Sequence, residues 1–226
     1  KIICVRQGDS HVPRLRLLHY FDSESGCFFS NTIVIVEKGA ELNLVEECVG
    51  EGLSNGRAPL ASHLLQISLG EDARLNLFQV QRWGLGVQSF QRQAFYLKKS
   101  CALNWRPVTL GAQKCQSRCE AQLLGNSRFD MQGVCRGDHD QVFDHWISVN
   151  HCEENAQSST RLNSVMADEA RSVFNGTIRI PKGGKGAEAV QKNKNLLLSD
   201  RAIIDTLPKL EIAVDDVKCS HGATVS

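Results

Sequence analysis

Apolar and polar residues alternate along this chain in short runs, and few windows place apolar residues at i, i+3, i+4 and i+7 over three turns. That spacing predicts strands rather than helices. One pattern recurs. Ala40-Glu41-Leu42-Asn43-Leu44 is echoed by Ala73-Arg74-Leu75-Asn76-Leu77, then by Cys101-Ala102-Leu103-Asn104-Trp105, and more loosely by Ser127-Arg128-Phe129-Asp130-Met131. Each copy sets a small residue ahead of large apolar residues at i+2 and i+4, with polar residues between, as a strand with one buried face requires. Turn residues precede each copy: Lys38-Gly39, Gly70-Glu71-Asp72, Lys98-Lys99-Ser100 and Gly125-Asn126.

The copies begin at 40, 73, 101 and 127, so the intervals are 33, 28 and 26 residues. A period of that order built from short strands predicts a β-solenoid; a sandwich is the alternative, since its strands are also closely spaced. Uneven intervals suit coils whose loops vary in length. In a solenoid, Leu42, Leu75 and Leu103 stack as an inward ladder at about 4.8 Å per strand. The stretch from Leu53 to Pro59, rich in Gly, Ser and Asn, reads as a surface loop or a trimmed insertion, and no linker divides the chain.

Composition narrows the partners more than the fold. With 226 residues, 42% of them hydrophobic and 23% charged, the chain can bury a substantial core. A net charge of +1, from 26 Lys and Arg against 25 Asp and Glu, supplies no field that draws nucleic acid or an anionic membrane. Apolar runs such as Ile33 to Val36 and Leu196 to Leu198 are too short to span a bilayer. The opening Lys1-Ile2-Ile3-Cys4-Val5-Arg6 has no Met, no long apolar stretch and no small-residue cleavage site, so it reads as lacking a secretory signal, with a processed or trimmed N-terminus as the alternative. Of nine cysteines, an odd number at irregular spacing, most read as reduced thiols in a reducing compartment.

The strongest candidate chemistry is the pair Cys219 and His221, behind Asp215 and Asp216. On a strand, residues i and i+2 share a side about 6.6–6.8 Å apart, so a thiolate sulfur and an imidazole nitrogen can serve one iron or adjacent irons of a cluster. Strand parity carried back from the pair puts Leu210, Ile212 and Val214 on the opposite face. With those three in the core the pair faces outward, unless a turn at Asp215-Asp216 resets the phase. Taken alone, a Cys-x-His pair is more often structural.

Other groupings invite metal or catalytic readings and do not sustain them. Cys135, His139, His145, His151 and Cys152 match no tetrahedral zinc spacing, and Arg136-Gly137-Asp138 breaks their common strand face, so solvent-facing or core histidines are expected. Cys115 and Cys119 read as same-face thiols on a polar strand. Pro181-Lys182-Gly183-Gly184-Lys185-Gly186 lacks the Gly-x4-Gly-Lys-Ser/Thr pattern of a phosphate-binding loop and reads as a turn between coils. Gly-x-Ser-x-Gly and His-Glu-x2-His are absent. Paired carboxylates, Asp138 with Asp140 or Asp215 with Asp216, leave open a β-helix carbohydrate-active enzyme, a lyase or hydrolase. Aromatic residues total only 6%, few for sugar platforms.

A long string of positions adds a resemblance. Asp144-His145, Ser158-Ser159, Ala167-Asp168-Glu169-Ala170-Arg171, Val173-Phe174-Asn175-Gly176, Gln191 with Asn195-Leu196-Leu197-Leu198-Ser199, Asp205-Thr206-Leu207-Pro208, Leu210-Glu211-Ile212, and the terminal Asp215 to Thr224 together resemble the SufB/SufD family of iron–sulfur cluster assembly scaffolds. Within it, SufB-like chains carry a cysteine where Ala202 stands and a glutamate where Gly222 stands, so this chain looks most like the SufD branch.

The resemblance implies an all-β fold with a right-handed parallel β-helix core, here a single domain over 1–226, trimmed, with the family's C-terminal helical region absent. It implies a non-catalytic scaffold that pairs with a SufB-like subunit and a SufC-like ABC ATPase, or forms a homodimer. A transient iron–sulfur cluster would be shared with the partner, none being permanently bound, with His221 and Cys219 as its metal ligands. The expected location is the cytoplasm, or the plastid stroma in a photosynthetic eukaryote.

Overall fold

A computed structural model describes residues 1–8, 14–21, 26–52 and 58–226, apart from the Phe21 side chain. Most of the loop expected over 53–59 therefore lies outside the described residues. Strands and no helices occupy the described chain. One eight-stranded sheet holds β1 (Ile2–Val5), β3 (Cys27–Val36), β5 (Leu60–Leu69), β7 (Gln88–Leu97), β9 (Lys114–Leu123), β11 (Val142–His151), β13 (Arg171–Ile180) and β15 (Ile203–Ile212), in that order. The other holds β2 (Arg14–Phe21), β4 (Glu41–Gly50), β6 (Arg74–Trp83), β8 (Ala102–Thr109), β10 (Arg128–Gly137), β12 (Gln157–Met166), β14 (Glu188–Leu197) and β16 (Lys218–Val225).

Successive strands thus go to opposite sheets, and each pairs in parallel with the strand two places on. A sandwich built from hairpins is excluded; the chain is a β-solenoid that lays one strand in each sheet per coil. The repeat seen in the sequence is the coil repeat. Leu42 registers with Leu75, Leu75 with Leu103, and Leu103 with Phe129. All four are essentially inaccessible to solvent, and each fully buried side chain of this size contributes about 1.5–3 kcal/mol. The polar residues between them also stack: Asn104 Nδ2 donates to Asn76 Oδ1, and Asn76 Nδ2 donates to Asn43 Oδ1, each at 2.8 Å on the outer face.

The small residue heading each copy sits at a coil corner. Ala40, Ala73, Cys101 and Ser127 are buried, and so are Ala156 and Ala187, which head two further coils. Immediately before these corners stand Gly39, Asp72, Ser100, Asn126, Asn155 and Gly186, all with φ between 57° and 73°. That left-handed backbone suits Gly, Asn and Asp and turns the chain sharply into the next sheet. The N–H of each such residue donates to a carbonyl one coil along, from Gly39 to Glu71 through to Gly186 to Asp216, so the corners form a ladder of their own. The copies at Ala156 and Ala187 escape the apolar pattern because their inward residues are Ser158, Thr160, Ala189 and Gln191. Their side chains are small or hydrogen-bonding, yet they stand in the same columns as the leucines.

Candidate functional site

Cys219 and His221 lie on β16, the outermost strand of its sheet. Cys219 registers with Ala189 and His221 with Gln191, both buried inward residues of β14. Outward projection, the expectation from strand parity, is therefore corrected. Leu210 and Ile212 register with buried Ile178 and Ile180, so they too stand on the inward side. The bend at Asp215–Val217, where the Val217 N–H donates to the Asp215 carbonyl, resets the alternation between β15 and β16. Accessibility comes instead from position. Among the described residues no strand covers the far edge of β16, so Cys219 is half-buried and His221 exposed. Partial burial pushes the Cys219 thiol pKa up, against a backbone hydrogen bond from Ala189 that pulls it down. Lys218 points away and donates to Glu188 Oε1 at 2.9 Å, so it does not reach the pair.

The other sequence candidates separate. Cys135 is buried on β10, while His139 sits exposed in the following turn at φ 53°, its Nδ1 2.9 Å from Asp138 Oδ1. His145 and His151 are buried on β11, and burial pushes both imidazoles down to about 4, so they are neutral at physiological pH. His151 Nδ1 donates to the Ala156 carbonyl at 3.1 Å, which leaves Nε2 to accept from Ser158 Oγ at 2.9 Å. Cys115 and Cys119 do share a face, but it is the core face, where burial drives both thiols up, Cys115 to about 12. Pro181 to Gly186 forms a corner turn in which the Gly184 N–H donates to the Pro181 carbonyl. The paired aspartates belong to turns: Asp140 Oδ1 accepts from Gln113, Asp138 faces Arg136 and His139, and the Asp216 carbonyl receives the Gly186 N–H. A carbohydrate-cleaving pair is not favoured by that arrangement.

One cluster was missed by spacing. His19 on β2, Glu46 on β4 and His63 on β5 converge inside the first coils. Glu46 Oε1 lies 3.0 Å from His19 Nε2 and 3.1 Å from His63 Nε2, with all three side chains sealed from solvent. Burial pushes the Glu46 carboxyl up, but the two imidazoles outweigh it and bring the group to about 2. Its other oxygen accepts from Gln79 Nε2 at 2.7 Å, and Gln79 Oε1 accepts from Trp105 Nε1 at 3.2 Å. The signal was present: Leu42, Leu44 and Glu46 are three consecutive inward positions, and a carboxylate third in such a row demands a buried partner. Those partners come from strands 27 and 17 residues away, a separation no local pattern spans.

The fold is a parallel β-solenoid with a hydrogen-bonded polar interior and a cysteine–histidine pair on the last strand of one sheet. Residues 19–226 match the family described as SUF system FeS cluster assembly, SufBD core domain. The chain is 42% identical over 203 residues to an iron–sulfur cluster assembly SufBD family protein of Synechocystis, covering 86% of this chain and 44% of that protein. It is 26% identical over 229 residues to the iron–sulfur cluster assembly protein SufD of Escherichia coli, covering 99% and 53%. A SufBD family protein of Staphylococcus epidermidis is 23% identical over 206 residues, covering 91% and 44%. The chain belongs to the SufBD family, and it spans about half the length of these relatives.

Much of the string that carries the resemblance is coil architecture. Asp168 of Ala167-Asp168-Glu169-Ala170 holds a turn at φ 51°, and Ala170 and Ala202 are buried corner residues. Cys219 packs against the small core cluster of Ile178, Ile180, Ala187 and Ala189, whereas His221 is exposed.

Proposed function

We propose that this chain is the core of a non-catalytic SufD-like scaffold subunit that pairs with a SufB-like subunit and a SufC-like ATPase in the cytoplasm. A nascent iron–sulfur cluster forms where the two scaffold subunits meet, held in part by His221 and Cys219. The observation that carries the reading is the placement of those two residues, inward-column positions left accessible on an edge strand. An edge strand offers unpaired N–H and C=O groups to a second chain, so a partner docking there completes the ligand set as it completes the sheet. Leu196, Leu198, Ile203, Leu207, Ile212 and Val225, all more than 40% exposed, lie on the last coils and add apolar surface for such docking.

Ligand chemistry supports a transient site. One imidazole and one thiolate leave the remaining positions to the partner, and a mixed set releases a cluster more readily than four thiolates from one chain. SufD in Escherichia coli is an iron–sulfur cluster assembly protein, in keeping with that role.

The test is anaerobic co-expression of the full-length protein with SufB-like and SufC-like partners, then iron and sulfide analysis of the purified complex. His221→Ala is expected to leave subunit association intact while iron and sulfide per complex fall severalfold. Cys219→Ser falls as far if its thiolate binds the same cluster, and less if it is a secondary ligand. Wild-type cluster content in His221→Ala, with full rescue of cells dependent on the pathway, sinks the assignment.

A further inference from the structure

We propose that His19, Glu46 and His63 form a binding site for a first-row divalent cation inside the N-terminal coils, separate from the C-terminal pair and independent of the reading above. Two imidazole nitrogens and one carboxylate oxygen are the donor set of open-sided zinc and non-haem iron(II) sites. The spacing fits. Two donors bound to one such ion at about 2.0–2.2 Å stand roughly 2.8–3.6 Å apart in octahedral or tetrahedral geometry, and Glu46 Oε1 is 3.0 and 3.1 Å from the two Nε2 atoms. All three donors lie within 4.8 Å of one another, so binding one ion requires the donors to draw in by at most about 1–2 Å.

Two further observations mark a site rather than a hydrogen-bonded core. His63 Nε2 stands 3.1 Å from Glu46 Oε1, close enough for electrostatic attraction, yet no well-aligned hydrogen bond reaches that nitrogen among the described residues. An ion set between that nitrogen and the oxygen would give both atoms a partner. The surrounding groups hold the donors in place: Ser30 Oγ lies 2.5 Å from His63 Nδ1, and Gln79, itself held by Trp105, fixes the Glu46 oxygen that would not bind metal. Support of this kind orients ligands in metal sites and typically changes affinity 10- to 100-fold when removed. Closed from solvent, the cage takes ions of the zinc, iron(II) and cobalt(II) class, not hydrated magnesium or calcium, which prefer oxygen donors.

Cobalt(II) is the probe, used with full-length protein carrying Cys219→Ser and His221→Ala so that the C-terminal pair adds no signal. The metal is supplied in one arm to purified, metal-stripped protein and in the other during expression, which allows for a site that closes on folding. One cobalt per chain with visible ligand-field absorption is expected, displaced by zinc(II) or iron(II). Glu46→Gln and His63→Gln should each weaken binding by about 100-fold or more, and Ser30→Ala by about 10-fold. Circular dichroism and thermal melts verify folding, and Ser30→Ala decides should the others fail to fold. Absence of cobalt in both arms, or equal binding by folded Glu46→Gln or Ser30→Ala, overturns the site and leaves a hydrogen-bonded cluster.

Discussion

The two ends of one sheet face present the same geometry and opposite chemistry. His221 shares a column with Leu77, through Trp105, Met131, Thr160 and Gln191, and neighbouring positions of that face hold Glu46 and Gln79. At the first coils those positions are sealed, and a carboxylate there needs two imidazoles and a glutamine around it. On β16 the same positions are open, so cysteine and histidine stand with few obligations to the core. Whether an inward residue is sealed or accessible depends on the coil laid over it, not on its place in the strand.

The largest expected effect tests that contrast directly. Leu77→Ala should cost about 2–5 kcal/mol through lost burial and the cavity it leaves. His221→Ala, in the same column, should stay within about 0.5 kcal/mol, as surface changes usually do. Denaturant unfolding of the two variants makes the comparison. Similar losses in both would mean that the His221 end is as closed as the Leu77 end.

Acid titration separates the interior histidines from the interior carboxylate. His145 and His151 fold with pKa values of about 4, below their ordinary 6.5, so above that value they are neutral in both states and add no pH dependence. As pH falls from 6.5 to 4 the unfolded chain takes up protons that the folded chain refuses, and stability drops by about 3 kcal/mol for each group. Glu46 behaves in the opposite sense: its stabilising contribution is present above 4.5 and is lost as pH falls toward 2. Unfolding curves between pH 7 and pH 4 should steepen with acid in the wild type and less so in His145→Gln. A flat profile over that range would show the core histidines to be solvated.

Thiol reactivity gives the smallest and most local contrast. Exposed Cys4 and Cys27 should alkylate first, half-buried Cys152 and Cys219 more slowly because burial raises their thiols, and Cys48, Cys101, Cys115, Cys119 and Cys135 only on unfolding. Mass-spectrometric mapping orders them. Binding of a partner over β16 should then protect Cys219 alone of the reactive set, and labelling of Cys119 alongside Cys4 would contradict the closed interior.

The apolar copies at Ala40, Ala73, Cys101 and Ser127 were legible because leucine, tryptophan and phenylalanine at i+2 and i+4 leave a periodic trace. The coils headed by Ala156 and Ala187 were not, since Ser158, Thr160 and Gln191 look like surface residues until their register with Leu42 and Leu44 is known. The terminal Cys219 and His221 stood out through their chemistry, yet their direction was misjudged because a bend between strands breaks parity.

By itself the sequence determined the strand period, the turn residues and small side chains that head each copy, and the family, because each is written in residues close together or in an unbroken string. Only the tertiary structure decided which polar residues are interior and which donors meet. His19 and Glu46, 27 residues apart, meet because β2 stacks on β4, and His63 reaches them across the interior from β5 of the opposite sheet; such stacking, absent over β16 among the described residues, leaves His221 open. Burial and convergence are properties of coils laid on coils, which the order of residues along one strand does not encode.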